Sequence, residues 1–110
     1  MRVKSGVQLS GTQFEMRDAC LCYGAEMRSL GGQPEITSGS EGAHGDGSYH
    51  FYGYALDFSI KGLTLGEQRS IVASMRIFLS SFYDVVLEDD HIHVEFDVTR
   101  AKLAGYKKEF

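Results

Sequence analysis

Two stretches of this chain alternate so regularly that each reads as a strand with one polar and one apolar face. In residues 54–60, Ala55, Asp57 and Ser59 fall on one side, and Leu56, Phe58 and Ile60 on the other. In residues 91–98, His91, His93 and Glu95 share a side opposite Ile92 and Val94. Successive side chains on a strand point to opposite faces, so both patterns demand a sheet with its apolar face packed on a core. Asp57 stands between Leu56 and Phe58, in a strand that reads as buried. An unpaired carboxylate there is costly unless it holds a metal or meets a cation.

The remaining elements follow from periodicity and turn chemistry. Thr12–Leu30 is predicted to be a helix, with Thr12 as N-cap, Glu15 at capping-box spacing, and Phe14, Ala19, Tyr23, Met27 and Leu30 (Met16 and Cys20 nearby) as its buried stripe. Gly31-Gly32 ends it and Pro34 prevents its resumption. Glu35–Ser38 is a short strand. The glycine-rich stretch 39–47 is too short a divider for two domains in 110 residues and is expected to be a functional surface loop. A second helix starts at Thr64, capped with Glu67, and its core face is expected to run through Leu65, Ile71, Val72, Met75, Phe78, Leu79 and Phe82. Tyr83–Leu87 and His91–Val98 then form a hairpin around Glu88-Asp89-Asp90. Residues 1–11 and 99–110 are expected to be irregular. The order implies a single α+β domain over residues 1–110, with two main helices and a mostly antiparallel sheet.

Composition narrows the function. A net charge of −4 argues against a nucleic-acid backbone as partner, and the one basic cluster, Lys102 with Lys107 and Lys108, is expected to be a solvated tail. The opening residues lack the apolar region of a signal peptide, and no apolar run reaches the roughly 20 residues that span a bilayer. Synthesis in a cytoplasm without membrane insertion is therefore expected, and any target outside it must be reached by another route. Cys20 and Cys22, two apart on the first helix, point to different faces and neither pair readily nor clamp one metal; small, mostly buried thiols are the expectation.

His50, Asp57 and His93 together offer two imidazoles and a carboxylate, the three protein ligands that a catalytic zinc site typically takes while leaving one position for water. A bare His-x-His on a strand would also suit ordinary surface polarity; the other two residues change that balance. The pattern Ser-x-His-x-x-Gly-x-Ala-x-Asp, here Ser48, His50, Gly53, Ala55 and Asp57, followed by His91-x-His93, resembles the zinc D-Ala-D-Ala peptidases of bacterial cell-wall metabolism, whose fold recurs in the Hedgehog signalling domain. The resemblance covers roughly residues 36–96 and implies that fold, one Zn2+ ion, and His50, Asp57 and His93 as its ligands. It further implies His91 as a contact to substrate or oxyanion, and His44 as an active-site histidine (a solvated loop histidine being the plain alternative).

A water-activating acid is then required. Asp90 falls three residues before His93, whereas Glu88 stands a little further upstream, as in the His-x-His branches, and reaches further by one methylene. Glu88 is the favoured base, with Asp90 the alternative. Ser48, Tyr49 and Tyr52 are the candidate substrate contacts. Carboxypeptidases of this family usually carry an arginine shortly after a Ser-Gly pair, where it binds a terminal carboxylate. Here Ser38-Gly39 is followed by Ser40-Glu41. The expectation is thus a peptidoglycan endopeptidase of phage or prophage origin, reaching the cell wall at lysis or on a virion. The rival is a catalytically silent zinc-binding or structural domain of the same fold, and hydrolysis of a free D,D-dipeptide is disfavoured by the missing arginine.

Overall fold

The computed structural model describes residues 1–41, 49 and 52–108. Its strands are β1 (Arg2–Val3), β2 (Glu35–Ser38), β3 (Ala55–Ser59), β4 (Tyr83–Leu87) and β5 (His91–Phe96); its helices are α1 (Met16–Ser29), α2 (Leu65–Phe78) and α3 (Val98–Leu103). The strands form one sheet in the order β1-β2-β3-β5-β4, antiparallel except for the parallel β1–β2 pair. This is an α+β fold, as the alternating segments required.

The core lies where the alternation put it. Ile36, Leu56, Phe58, Val85, Ile92, Val94 and Phe96 line one sheet face, and α1 and α2 cover it with Met16, Ala19, Tyr23, Met27, Ile71, Val72 and Met75. Tyr23 stacks on Phe58 with ring centroids 4.4 Å apart. Its hydroxyl donates to the Ser59 carbonyl at 2.6 Å and accepts from the Glu35 amide at 3.3 Å, so a phenol fully inside the core still satisfies its polar end.

Helix α2 forms as predicted. The Thr64 hydroxyl accepts from the Glu67 amide while the Glu67 carboxylate accepts from the Thr64 amide, a reciprocal capping box. Gly31, at φ 74°, and Gly32 close α1 by donating to the Arg28 and Met27 carbonyls, a Schellman ending. At the edge of the sheet, the Arg76 guanidinium donates twice to the Val85 carbonyl, at 3.0 and 2.7 Å, blunting an exposed strand edge.

Several expectations need correction. Helix α1 begins at Met16 rather than Thr12, and Glu15 makes no capping hydrogen bond. The Gln13 amide is drawn instead to the Gly53 carbonyl at 2.9 Å, and the Glu15 carboxylate is claimed by Lys108 at 2.6 Å and Tyr106 at 2.9 Å. Lys108 is therefore one half of an ion pair with a carboxylate that is only 5% exposed, not part of a solvated tail. Burial alone would raise the pKa of Glu15; the hydrogen bonds from Lys108 and its other donors hold it below the usual carboxylate range. Phe14 and Phe78, both 74% exposed, leave the expected core faces, as do Leu30 and Leu65. Residues 98–103 form a short third helix, N-capped by Asp97, whose carboxylate accepts from the Arg100 amide at 2.9 Å. The opening residues contribute β1, a strand where an irregular lead-in was expected. Cys20 and Cys22 are unpaired and half-buried, and burial raises both thiol pKa values.

Gly53 shows why the motif needs glycine at that point. Its φ is 81°, and a Cβ there would overlap the carbonyl oxygen of Gly11. Replacement Gly53→Ala therefore combines a left-handed backbone with a backbone collision, and is expected to cost roughly 2 kcal/mol or more. Chemical denaturation of the two proteins measures it.

Candidate metal centre

The sheet face opposite the helices collects the chemistry. Register pairs Asp57 of β3 with His93 of β5, and Val86 of β4 lies on the other side of His93. An irregularity in β2 between Ile36 and Ser38 brings Ser38 opposite Asp57. Ser59 pairs with His91, and the Glu88 amide donates to the His91 carbonyl at 2.9 Å, which sets Glu88 beside His91 one step beyond β4. Ala55 and Asp84 flank Glu95 in the row on the other side. Paired residues share a face, so Asp57, His91, His93 and Glu95 stand together.

Within this group the contacts are short. His93 Nδ1 lies 2.9 Å from Asp57 Oδ1, and His93 Nε2 lies 2.7 Å from Glu95 Oε1. His91 Nδ1 is 2.6 Å from Asp90 Oδ1, while its Nε2 is 3.6 Å from Asp57 Oδ2. The Asp57 and His93 side chains are 15% and 20% exposed, buried enough to strengthen their attraction and open enough to be reached. The hydrogen bond to Asp57 holds the His93 pKa up at about 9, against the opposing effect of burial and with Glu95 adding to the rise. Asp90, by contrast, has 90% of its side chain exposed and a carboxyl pKa lowered by the bond to His91.

Two of the three expected ligands are thus neighbours. In a tetrahedral zinc site with bonds of roughly 2.0–2.1 Å, adjacent ligand atoms stand about 3.3 Å apart. The 2.9 Å between His93 Nδ1 and Asp57 Oδ1 is within a few tenths of that spacing, and imidazole plus carboxylate is a donor set that zinc accepts. The described residues fit the metal to that extent. His50, the third expected ligand, lies outside the described residues, as do His44 and Ser48. Among the described residues no group of three His, Cys, Asp or Glu side chains is arranged to hold a metal.

Of the expected substrate contacts, Tyr52 is exposed, whereas Tyr49 is half-buried and packs against the core. Tyr54 is a core residue, with the Lys108 ammonium 5.2 Å from its ring centroid. Glu41 follows the Ser38-Gly39 pair, and its carboxylate accepts from the Gln8 and Gly39 amides at 3.0 and 2.8 Å and from the Ser38 hydroxyl at 2.8 Å. Those donors hold its pKa below the usual carboxylate range against the effect of burial. The sequence reading gives Glu95 no role at the site; its signal is its place two residues from His93 on the same strand face.

A concavity of about 820 Å³ lies elsewhere. It opens on the helix side between Phe14, Leu21, Phe78 and Phe82, and contains no histidine. No protein-family model, curated protein or solved structure matches the chain. Among the described residues no helix is long and apolar enough to cross a membrane.

The raised pKa of His93 makes a signed prediction for the metal-free protein. The folded value of about 9 exceeds the ordinary 6.5, so its stabilising contribution is complete below about 6.5 and lost as pH rises through about 9. Denaturation midpoints of metal-free protein should fall across that window, and Asp57→Asn should flatten the fall. An unchanged pH profile in the Asp57→Asn protein would contradict the assignment.

Proposed function

We propose that this chain is a zinc-dependent peptidase with the fold of the D-Ala-D-Ala peptidases and the Hedgehog signalling domain, acting on a peptide bond of bacterial peptidoglycan. The observation that carries the proposal is the Asp57–His93 pair, 2.9 Å apart on the open sheet face, with Asp57 closing the motif Ser48-x-His50-x-x-Gly53-x-Ala55-x-Asp57 and His93 closing the downstream His91-x-His93. His50, Asp57 and His93 would hold the ion. Zinc, when bound, supplies Lewis-acid polarisation and a water acidified toward neutrality.

The chain's own residues then divide the proton and charge work. Glu88 stands beside His91 and its carboxylate makes no hydrogen bond among the described residues, leaving it available to take a proton from the attacking water and return it to the leaving amine. Asp90 is engaged with the His91 ring at 2.6 Å. That favours Glu88 as the base and gives Asp90 the task of orienting His91, whose Nε2–H, when protonated, is a donor for the developing oxyanion.

The substrate reading favours an internal peptide bond. Where cell-wall carboxypeptidases of this type carry an arginine for a terminal carboxylate, this chain carries the anionic Glu41, already saturated with donors. A like charge there repels a free C-terminus. A phage or prophage origin, with delivery to the cell wall at lysis or on a virion, suits such an activity.

The test is release of new amino termini from purified peptidoglycan of several chemotypes, with zinc and with a chelator. Zinc-dependent release is expected. Glu88→Gln should lower kcat by roughly 100-fold or more while zinc stays bound, and Asp90→Asn should have a smaller effect. No zinc-dependent release from any chemotype would overturn the peptidase reading and leave a zinc-binding domain without turnover.

A further inference from the structure

Glu95 is a carboxylate on the site face that the proposed function leaves unused. Its Oε1 lies 2.7 Å from His93 Nε2, and no other hydrogen bond to its side chain occurs among the described residues. The placement follows from the sheet. Glu95 is two residues from His93 on β5, so their side chains leave the same face. On one flank it faces Ala55, whose methyl competes for nothing polar. On the other it faces Asp84, whose carboxylate is turned to Arg100 at 3.2 Å. Among the described residues, the His93 ring is the one group with which Glu95 forms an ion pair.

The two contacts to His93 are not equivalent. Asp57, on the Nδ1 side, is itself an expected ligand, so a shared ion would take the place of the Nδ1–Asp57 hydrogen bond. Glu95, on the Nε2 side, belongs to no expected ligand set. Metal-bound histidines generally donate their second ring N–H to a carboxylate or carbonyl, which selects the tautomer, orients the ring and raises the basicity of the ligating nitrogen.

We infer that Glu95 is a positioning residue for the metal, accepting the Nε2–H of His93 and presenting Nδ1 to the ion alongside Asp57. The inference rests on the metal reading above. It adds that the affinity of the centre depends on a residue outside its ligand set.

Zinc affinity of the purified full chain, measured by competition with a chromogenic chelator, tests it without recourse to activity. The wild-type chain is expected to bind one zinc ion. Glu95→Ala should weaken binding by roughly 10–100-fold, the range for loss of an outer carboxylate. Glu95→Gln, which keeps an acceptor oxygen, should recover most of the loss, and His93→Ala should abolish tight binding. Nitrogen-15 spectra of the zinc-loaded wild type should show Nδ1 bound to metal and a proton on Nε2. Unchanged affinity in Glu95→Ala, or metal on Nε2, would overturn the inference while leaving the metal centre standing. Loss in Glu95→Gln as complete as in His93→Ala would make Glu95 a ligand, which also overturns it. No zinc binding by the wild type would instead remove the metal reading itself, and the inference with it.

Discussion

Everything distinctive about this molecule depends on the antiparallel register of β3 against β5. That register sets Asp57 opposite His93, Leu56 opposite Val94 and Phe58 opposite Ile92. A slip of one residue would turn the histidines and Asp57 into the core and expose the apolar partners, so burial on one face enforces polarity on the other. The hydrophobic effect thereby does the positioning: two apolar cross-strand pairs flank an imidazole and a carboxylate and hold them within 2.9 Å. A site on the central strands of a sheet has less freedom than one assembled from loops alone.

The ends of the chain reinforce the same region. Lys108 returns to pair with Glu15, and the Tyr83 hydroxyl donates to the Glu15 carbonyl at 2.7 Å. Around them Phe82, Tyr83 and Tyr106 gather at the Phe96 ring, with centroids 5.3–6.0 Å away. Because Phe96 ends the strand that carries His91, His93 and Glu95, this cluster braces that strand from the core side. The Gln13 bond to Gly53 and the Glu41 bond to Gln8 tie the opening residues to both ends of the segment leading into β3. Glu41 thus has a structural task of its own.

Much of this was legible because periodicity is a local signal. The strands around Asp57 and His93, the capping box at Thr64 and the glycine ending of α1 need only a few neighbouring residues to specify them. What was not legible depends on partners distant in the chain. The capping-box spacing from Thr12 to Glu15 was present, yet Lys108, 93 residues away, took the carboxylate. Phe14 and Phe78 matched the apolar stripes by type, but the helices turn them away from the sheet. The third helix is obscured because its six residues, Val98–Leu103, are too few to show a helical apolar period. At the centre itself, Asp57, His91 and His93 could be placed on one face from alternation alone, while the pairing of Glu95 with Nε2 required side-chain geometry.

The proposed function requires the polar face of β3 and β5 to be a zinc centre built from nitrogen and oxygen donors. X-ray absorption spectroscopy at the zinc edge of the loaded protein tests that claim most directly. Two imidazole nitrogens and oxygen donors at roughly 2.0–2.1 Å are expected, and His93→Ala should fail to retain that zinc signal. A sulfur shell near 2.3 Å, which would move the ion to Cys20 or Cys22, or a spectrum indifferent to His93→Ala, would contradict it.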